Sequence, residues 1–163
     1  MNNEAFDRVF DAQARHFRDN YIFAMASRAN RCESPIEQLF LFALMAFWVS
    51  EYFQFPKVDE APGGESLTVK CQHQIDGYRV DFALESGECP GIKLVVECDG
   101  HEFHERTKEQ AARDRSRDRR LQSKGYIVLR FTGSELYRDA WKCASEVQAQ
   151  IYSAHHNRSK GAA

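Results

Sequence analysis

Three carboxylates stand where strands would be expected to hold apolar side chains. Asp81 interrupts Val80-Asp81-Phe82-Ala83-Leu84, and Glu97 follows Leu94-Val95-Val96 and precedes Cys98-Asp99. Side chains on a strand alternate between faces, so Glu97 and Asp99 point the same way; with Asp81 on a neighbouring strand at the same level, all three converge. Carboxylates crowded in this way cannot all stay ionised without compensation. A divalent cation is the simplest compensation, because hard oxygen ligands suit Mg²⁺ or Mn²⁺, and such an ion also binds a phosphate oxygen and activates a water. The structural alternative sets each acid at a strand end beside an arginine such as Arg79 or Arg130.

Further candidates lie on either side of these acids. His104, in the turn after Asp99, could accept a proton from an attacking water near neutral pH, or serve with His101 only to stabilise the loop. Further on, Ala111, Asp114, Asp118 and Leu121 share one quadrant of a helix, which puts two acids on its inward side. Arg113, Arg117 and Arg120 fall on another side as a clamp for phosphate. The alternative there is an exposed lattice of ion pairs, Glu109 with Arg113, Asp114 with Arg117 and Arg115 with Asp118. Glu37 has a purely structural reading, since it follows Ser34 by three residues and can close a capping box. A site of Cys98, His101 and His104, with Cys71 or His73, would suit Zn²⁺, but its spacing matches no standard knuckle.

The elements that must position these residues can be read from periodicity. Phe6, Val9, Phe10, Phe17, Tyr21 and Met25 predict an amphipathic helix over 4–29. Ser34-Pro35-Ile36-Glu37 opens a second, mostly buried helix to about Phe53. The stretch 56–65 is expected to be a loop, as it holds two prolines, two glycines and four charges. Leu67–Ile75 and Tyr78–Leu84 form a hairpin on Asp76-Gly77, a pair suited to the positive φ angles of a tight turn. Ile92–Cys98 is an apolar strand ending in Asp99-Gly100. A polar helix runs between Thr107 and Gly125, followed by a strand over Tyr126–Phe131 and a last helix from Thr132 to about Ile151. The expected fold is therefore α/β, a mixed sheet with helices packed on it, in the order α-α-β-β-β-α-β-α. A helical arm (1–30), one domain (31–153) and a flexible tail (154–163) make up the chain.

Composition sets limits on function. The 163 residues are 43% apolar and 28% charged, ordinary for one domain with its own core. The longest greasy stretch, Leu39–Val49, is too short to span a bilayer, and Met1–Asn20 alternates charges with phenylalanine where a signal peptide would be apolar. Five cysteines without a C-x-x-C pair suggest reduced thiols and a cytoplasmic setting. The net charge of -2 hides an asymmetry: residues 1–100 hold 9 basic and 16 acidic side chains, residues 101–163 hold 13 and 8. The second part can thus face phosphate without a basic overall charge.

Taken in order, Glu37, Val80-Asp81-Phe82, Val96-Glu97-Cys98-Asp99-Gly100, His104, Arg113-Asp114-Arg115, Leu121, Gly125-Tyr126 and Val128-Leu129-Arg130-Phe131 resemble the small domains related to the very-short-patch repair (Vsr-like) endonucleases of the PD-(D/E)xK superfamily. The resemblance covers roughly residues 33–137. It implies a restriction-endonuclease-like core and metal-assisted hydrolysis of DNA phosphodiesters, by nicking or structure-specific cleavage. It also implies Asp81 as central metal ligand and Glu97, or the backbone at Cys98, as the second. Glu37 would hold a metal-bound water, His104 would act as base or acid, and Asp114 would orient the histidine. The superfamily's lysine, two residues after the second acid, is replaced here by Asp99. Either a histidine-based site works without it, or the chain is a catalytically inactive nucleic-acid-binding module on the same fold. Cutting both strands needs two sites, for which the N-terminal helix would pair two copies as a homodimer; a monomer would favour nicking.

Overall fold

The computed structural model describes residues 27–52, 54–60, 66–100 and 108–161, with the isolated positions 8, 11, 12, 15 and 19. Of the expected N-terminal helix, positions 8, 11, 12, 15, 19 and 27–29 are described and helical; its apolar stripe, and any pairing of copies through it, lie outside the described residues.

The domain opens with helix α1 (Pro35–Tyr52) and the short strand β1 (Lys57–Val58). Strands β2 (Leu67–Ile75), β3 (Tyr78–Ser86) and β4 (Lys93–Asp99) follow, then helix α2 (Lys108–Ser123), strand β5 (Tyr126–Thr132) and helix α3 (Gly133–Gly161). The five strands form one sheet in sequence order. The outer pairs, β1·β2 and β4·β5, are parallel, and the two inner pairs antiparallel. The α/β mixed-sheet expectation therefore holds.

Local chemistry explains most boundaries. Ser34 caps α1 and Pro35 takes its first turn, where a missing N–H costs nothing. Asp76 and Gly77 both have positive φ, as a two-residue turn between paired Ile75 and Tyr78 requires. Gly125, with φ of +83°, ends α2. The parallel pairing of β4 with β5 depends on α2 as the crossover between them.

Two expectations are corrected. The predicted loop over 56–65 contains β1, because Lys57 and Val58 pair with Thr68 and Val69 and Val58 packs into the core. The last helix does not stop near Ile151 but runs to Gly161, so residues 154–161 of the expected tail are helical, and Arg158 donates to the Gly91 carbonyl at 2.6 Å. It bends at Asp139, whose carboxylate accepts from the Lys142 N–H and caps the longer segment.

Helices α1 and α3 cover one face of the sheet. Phe40 is fully buried there, with Phe82 and Phe131 at ring distances of 5.2 and 5.8 Å. Such burial of an aromatic side chain corresponds to about 3–5 kcal/mol on truncation to alanine. On the other face α2 contributes fully buried Leu121 to a smaller cluster with Ile75, Val80, Ala83 and Val95. The sheet is thus covered on both sides, which is why β4 reads as an almost unbroken apolar run.

Candidate active site

The paired register of β3 and β4 ends at Phe82↔Val96, while β4 remains paired with β5 as far as Asp99↔Thr132. Asp81 and Glu97 are the next residues where β3 and β4 part. Here a side chain replaces the backbone ladder: Asp81 Oδ2 accepts the Cys98 N–H at 2.8 Å. The acids break the apolar pattern at the point where the sheet opens.

Among the described residues the buried polar or charged side chains are Glu37, Thr68, Glu97 and Asp99. Three of these four are acids that the sequence singled out, so the burial of charge is concentrated at one place. Burial is the largest influence on Asp81 and raises its carboxyl above the ordinary range; the Cys98 N–H opposes this, and the charges of Glu37 and Asp99 add to it. Glu97 is pushed up to about 7, first by burial and then by the Asp81 charge, against the pull of Arg117 and Arg130. The charge of Asp81 thus makes Glu97 costlier to ionise, and those of Glu37 and Asp99 do the same to Asp81.

Arginine already meets part of that need. Arg117 of α2 contacts Glu97 Oε1 through Nη2, and the same nitrogen donates to the Arg79 carbonyl at 2.5 Å. Arg130 of β5 lies 3.2 Å from Asp99 and 2.8 Å from Asp118. Of the three arginines expected to face phosphate, the structure turns one, Arg117, away. Arg117 turns inward to the sheet, Arg120 pairs with Asp76 at 2.5 Å, and Arg113 is exposed. The lattice along the helix is replaced, for Arg117 and Asp118, by pairs between α2 and the sheet. Asp99, expected as a metal ligand, is engaged by Arg130, because parallel β5 brings that guanidinium to the same face.

Glu37 fulfils its capping role and one more. Its carboxylate accepts from the Ser34 hydroxyl at 2.6 Å and the Glu33 N–H at 2.9 Å, and the Glu37 N–H returns to Ser34 Oγ. A further donor, Gln72 Nε2 from β2, reaches Glu37 Oε2 at 2.8 Å. Sequence reasoning passed over Gln72. Its signal is faint: it sits opposite Asp81 in the hairpin register, between the pairs Cys71↔Phe82 and His73↔Val80, with φ of +48°. Gln72 Oε1 and Arg117 Nε are buried without a hydrogen-bond partner among the described residues.

Asp114 lies half-buried on α2. His104, which it was expected to orient, lies outside the described residues, as does His101. Cys98 turns its side chain into the apolar core and its thiol is pushed far up, chiefly by burial, so it is a poor zinc thiolate. A cleft of about 250 Å³ exists at the other end of β3 and β4, lined by Thr68, Glu85, Gly91 and Lys93 among others, away from the acids.

Among the described residues, no three His, Cys, Asp or Glu side chains are grouped so as to hold a metal ion. The donors present are nonetheless carboxylate and amide oxygens, and one of them, Gln72 Oε1, is buried and lacks a hydrogen-bond donor among the described residues. That chemistry fits a hard divalent cation and not a thiol-seeking one.

A mixed sheet that opens between two acid-bearing strands, with helices on both faces, defines a restriction-endonuclease-like fold. The chain belongs to the restriction endonuclease-like family REase_MTES_1575, whose family model matches residues 63–151. The family name points to endonuclease activity. The match includes Asp81, Glu97, Asp99, His104 and Asp114, while Glu37 precedes it. No curated protein and no solved structure matches the chain. No helix among the described residues is long and apolar enough to cross a membrane.

Proposed function

We propose that this chain is a DNA endonuclease that hydrolyses phosphodiester bonds with a divalent cation, Mg²⁺ or Mn²⁺. The observation that carries this reading is the meeting of half-buried Asp81 and buried Glu97 where β3 and β4 separate. Asp81 and Glu97 would hold the ion, which when bound polarises the phosphate and lowers the pKa of a water. The Cys98 N–H fixes the Asp81 carboxylate. Arg117 places positive charge beside Glu97, near where the PD-(D/E)xK pattern expects a lysine and this chain has Asp99. The Vsr-like order of residues supports His104 as base or acid and Asp114 as its orienting partner. Arg113 and Arg120 would face the DNA backbone.

The test is a cleavage panel of single-stranded, double-stranded, nicked and mismatched DNA with Mg²⁺ or Mn²⁺, run beside Asp81→Ala. Metal-dependent cutting lost in the variant supports the reading; equal behaviour of the two proteins on every substrate refutes it. A non-catalytic DNA-binding module is the second reading, favoured by the engagement of Glu97 and Asp99 by arginines. It predicts salt-sensitive binding with DNA left intact.

A further inference from the structure

We propose that Gln72 is part of the cation site, its carboxamide oxygen serving as a ligand to the divalent ion or as the acceptor for one of that ion's waters. The inference deepens the nuclease reading and takes its cation from it. Three observations support it. Gln72 lies opposite Asp81 in the β2·β3 register, and its backbone leaves ordinary strand geometry, with φ of +48°, a region that non-glycine residues seldom adopt. Its amide nitrogen donates to Glu37 Oε2 at 2.8 Å. A carboxylate only accepts, so the amide cannot be turned over without setting oxygen against oxygen. The orientation fixes Oε1 on the other side, where it is buried without a donor among the described residues.

A buried acceptor with no partner costs about 1–3 kcal/mol, and such atoms are rare in folded proteins. A divalent cation, or one of the waters bound to it, would satisfy this one. Glu37 then acts through Gln72: it caps α1, and by gripping the amide nitrogen it aims the oxygen. Glu37 is a positioning residue in this scheme, while Asp81 and Glu97 supply the charge. The scheme also accounts for the absence of a preformed trio of acidic or imidazole ligands among the described residues, since the third donor is an amide.

The experiment is a Mn²⁺ titration of the full chain, read by calorimetry or by the signal of free Mn²⁺, with thermal unfolding as the check on folding. Gln72→Met keeps the size and removes both amide atoms; it should weaken Mn²⁺ binding by about tenfold, the usual effect of losing an outer partner of a metal site. Gln72→Glu keeps an oxygen and removes the donor to Glu37; it should bind Mn²⁺ at least as tightly as the unaltered chain. Asp81→Asn should abolish binding. Equal affinity in the unaltered chain and in folded Gln72→Met overturns the proposal, and so does a Gln72→Glu chain as weak as Gln72→Met, because Gln72 would then only anchor Glu37. Absence of Mn²⁺ binding by the unaltered chain also overturns it. Gln72-dependent Mn²⁺ binding in a chain that cuts no DNA upholds the proposal and removes the nuclease reading instead.

Discussion

Arg117 joins Glu97 to the backbone of Arg79, its guanidinium touching the Glu97 carboxylate and donating to the Arg79 carbonyl at 2.5 Å. The contact ties α2 to both acid-bearing strands at the point where they separate. Its side chain is 20% exposed and that of Glu97 6%. Removing only the cation leaves a carboxylate in poor solvent, so Arg117→Met should lower stability at pH 8 by on the order of 3 kcal/mol. Urea unfolding checks this, and adding Glu97→Gln to the variant should restore part of the loss. A single variant as stable as the unaltered chain would show that the pair contributes nothing.

Arg113 and Arg120 should behave differently from Arg117. Both are exposed, so replacing each with glutamine should leave unfolding nearly unchanged while weakening DNA binding. In a salt titration the slope of log affinity should fall by about 1 for each phosphate that an arginine no longer neutralises. An unchanged slope would remove this face of α2 from the DNA interface.

Asp99, Arg130 and Asp118 form a chain of charge from β4 through β5 to α2. Asp99→Asn and Arg130→Met should each destabilise the fold, and the double variant should lose less than the sum, with a coupling of about 0.5–3 kcal/mol. Strict additivity in a double-mutant cycle would argue against a working pair.

Thr132 and Glu135 close a capping box at the start of α3: Glu135 Oε2 accepts from the Thr132 N–H and hydroxyl, and the Glu135 N–H returns to Thr132 Oγ1. The Thr132 N–H, and then its hydroxyl, hold the Glu135 carboxyl below its ordinary value. A carboxyl with a lowered folded pKa contributes stability in full above its unfolded value, and loses it as the pH falls through the folded one. Thr132→Ala should therefore cost about 1 kcal/mol at pH 7 and progressively less as the solution is acidified below the usual glutamate range. Urea unfolding at several pH values measures this; a cost independent of pH would mean that the carboxylate is not the partner.

The fold was legible where local chemistry dominates. Ser34-Pro35 and Thr132-Gly133-Ser134-Glu135 opened helices, Asp76-Gly77 turned a hairpin, and the apolar run before Glu97 marked a strand covered on both faces. Strand β1 was hidden because its two residues are held by parallel pairing with Thr68 and Val69, which no local pattern announces. The helix past Ile151 was hidden because its polar, solvated turns lack an apolar stripe. At the site, Asp81 and Glu97 were visible as charges out of place in strands. The inward turn of Arg117 was not, since a helical wheel groups residues by angle and does not show which side faces the sheet. Gln72 escaped notice because a polar residue on a strand is ordinary until its partner on α1 is seen.

The most direct measurement is cleavage of a mixed panel of DNA structures in Mg²⁺ or Mn²⁺ by the unaltered chain and by Asp81→Ala, followed by gel. Strand scission that needs the cation and disappears in the variant is the result predicted. Intact DNA with both proteins, or equal scission by both, would contradict the account.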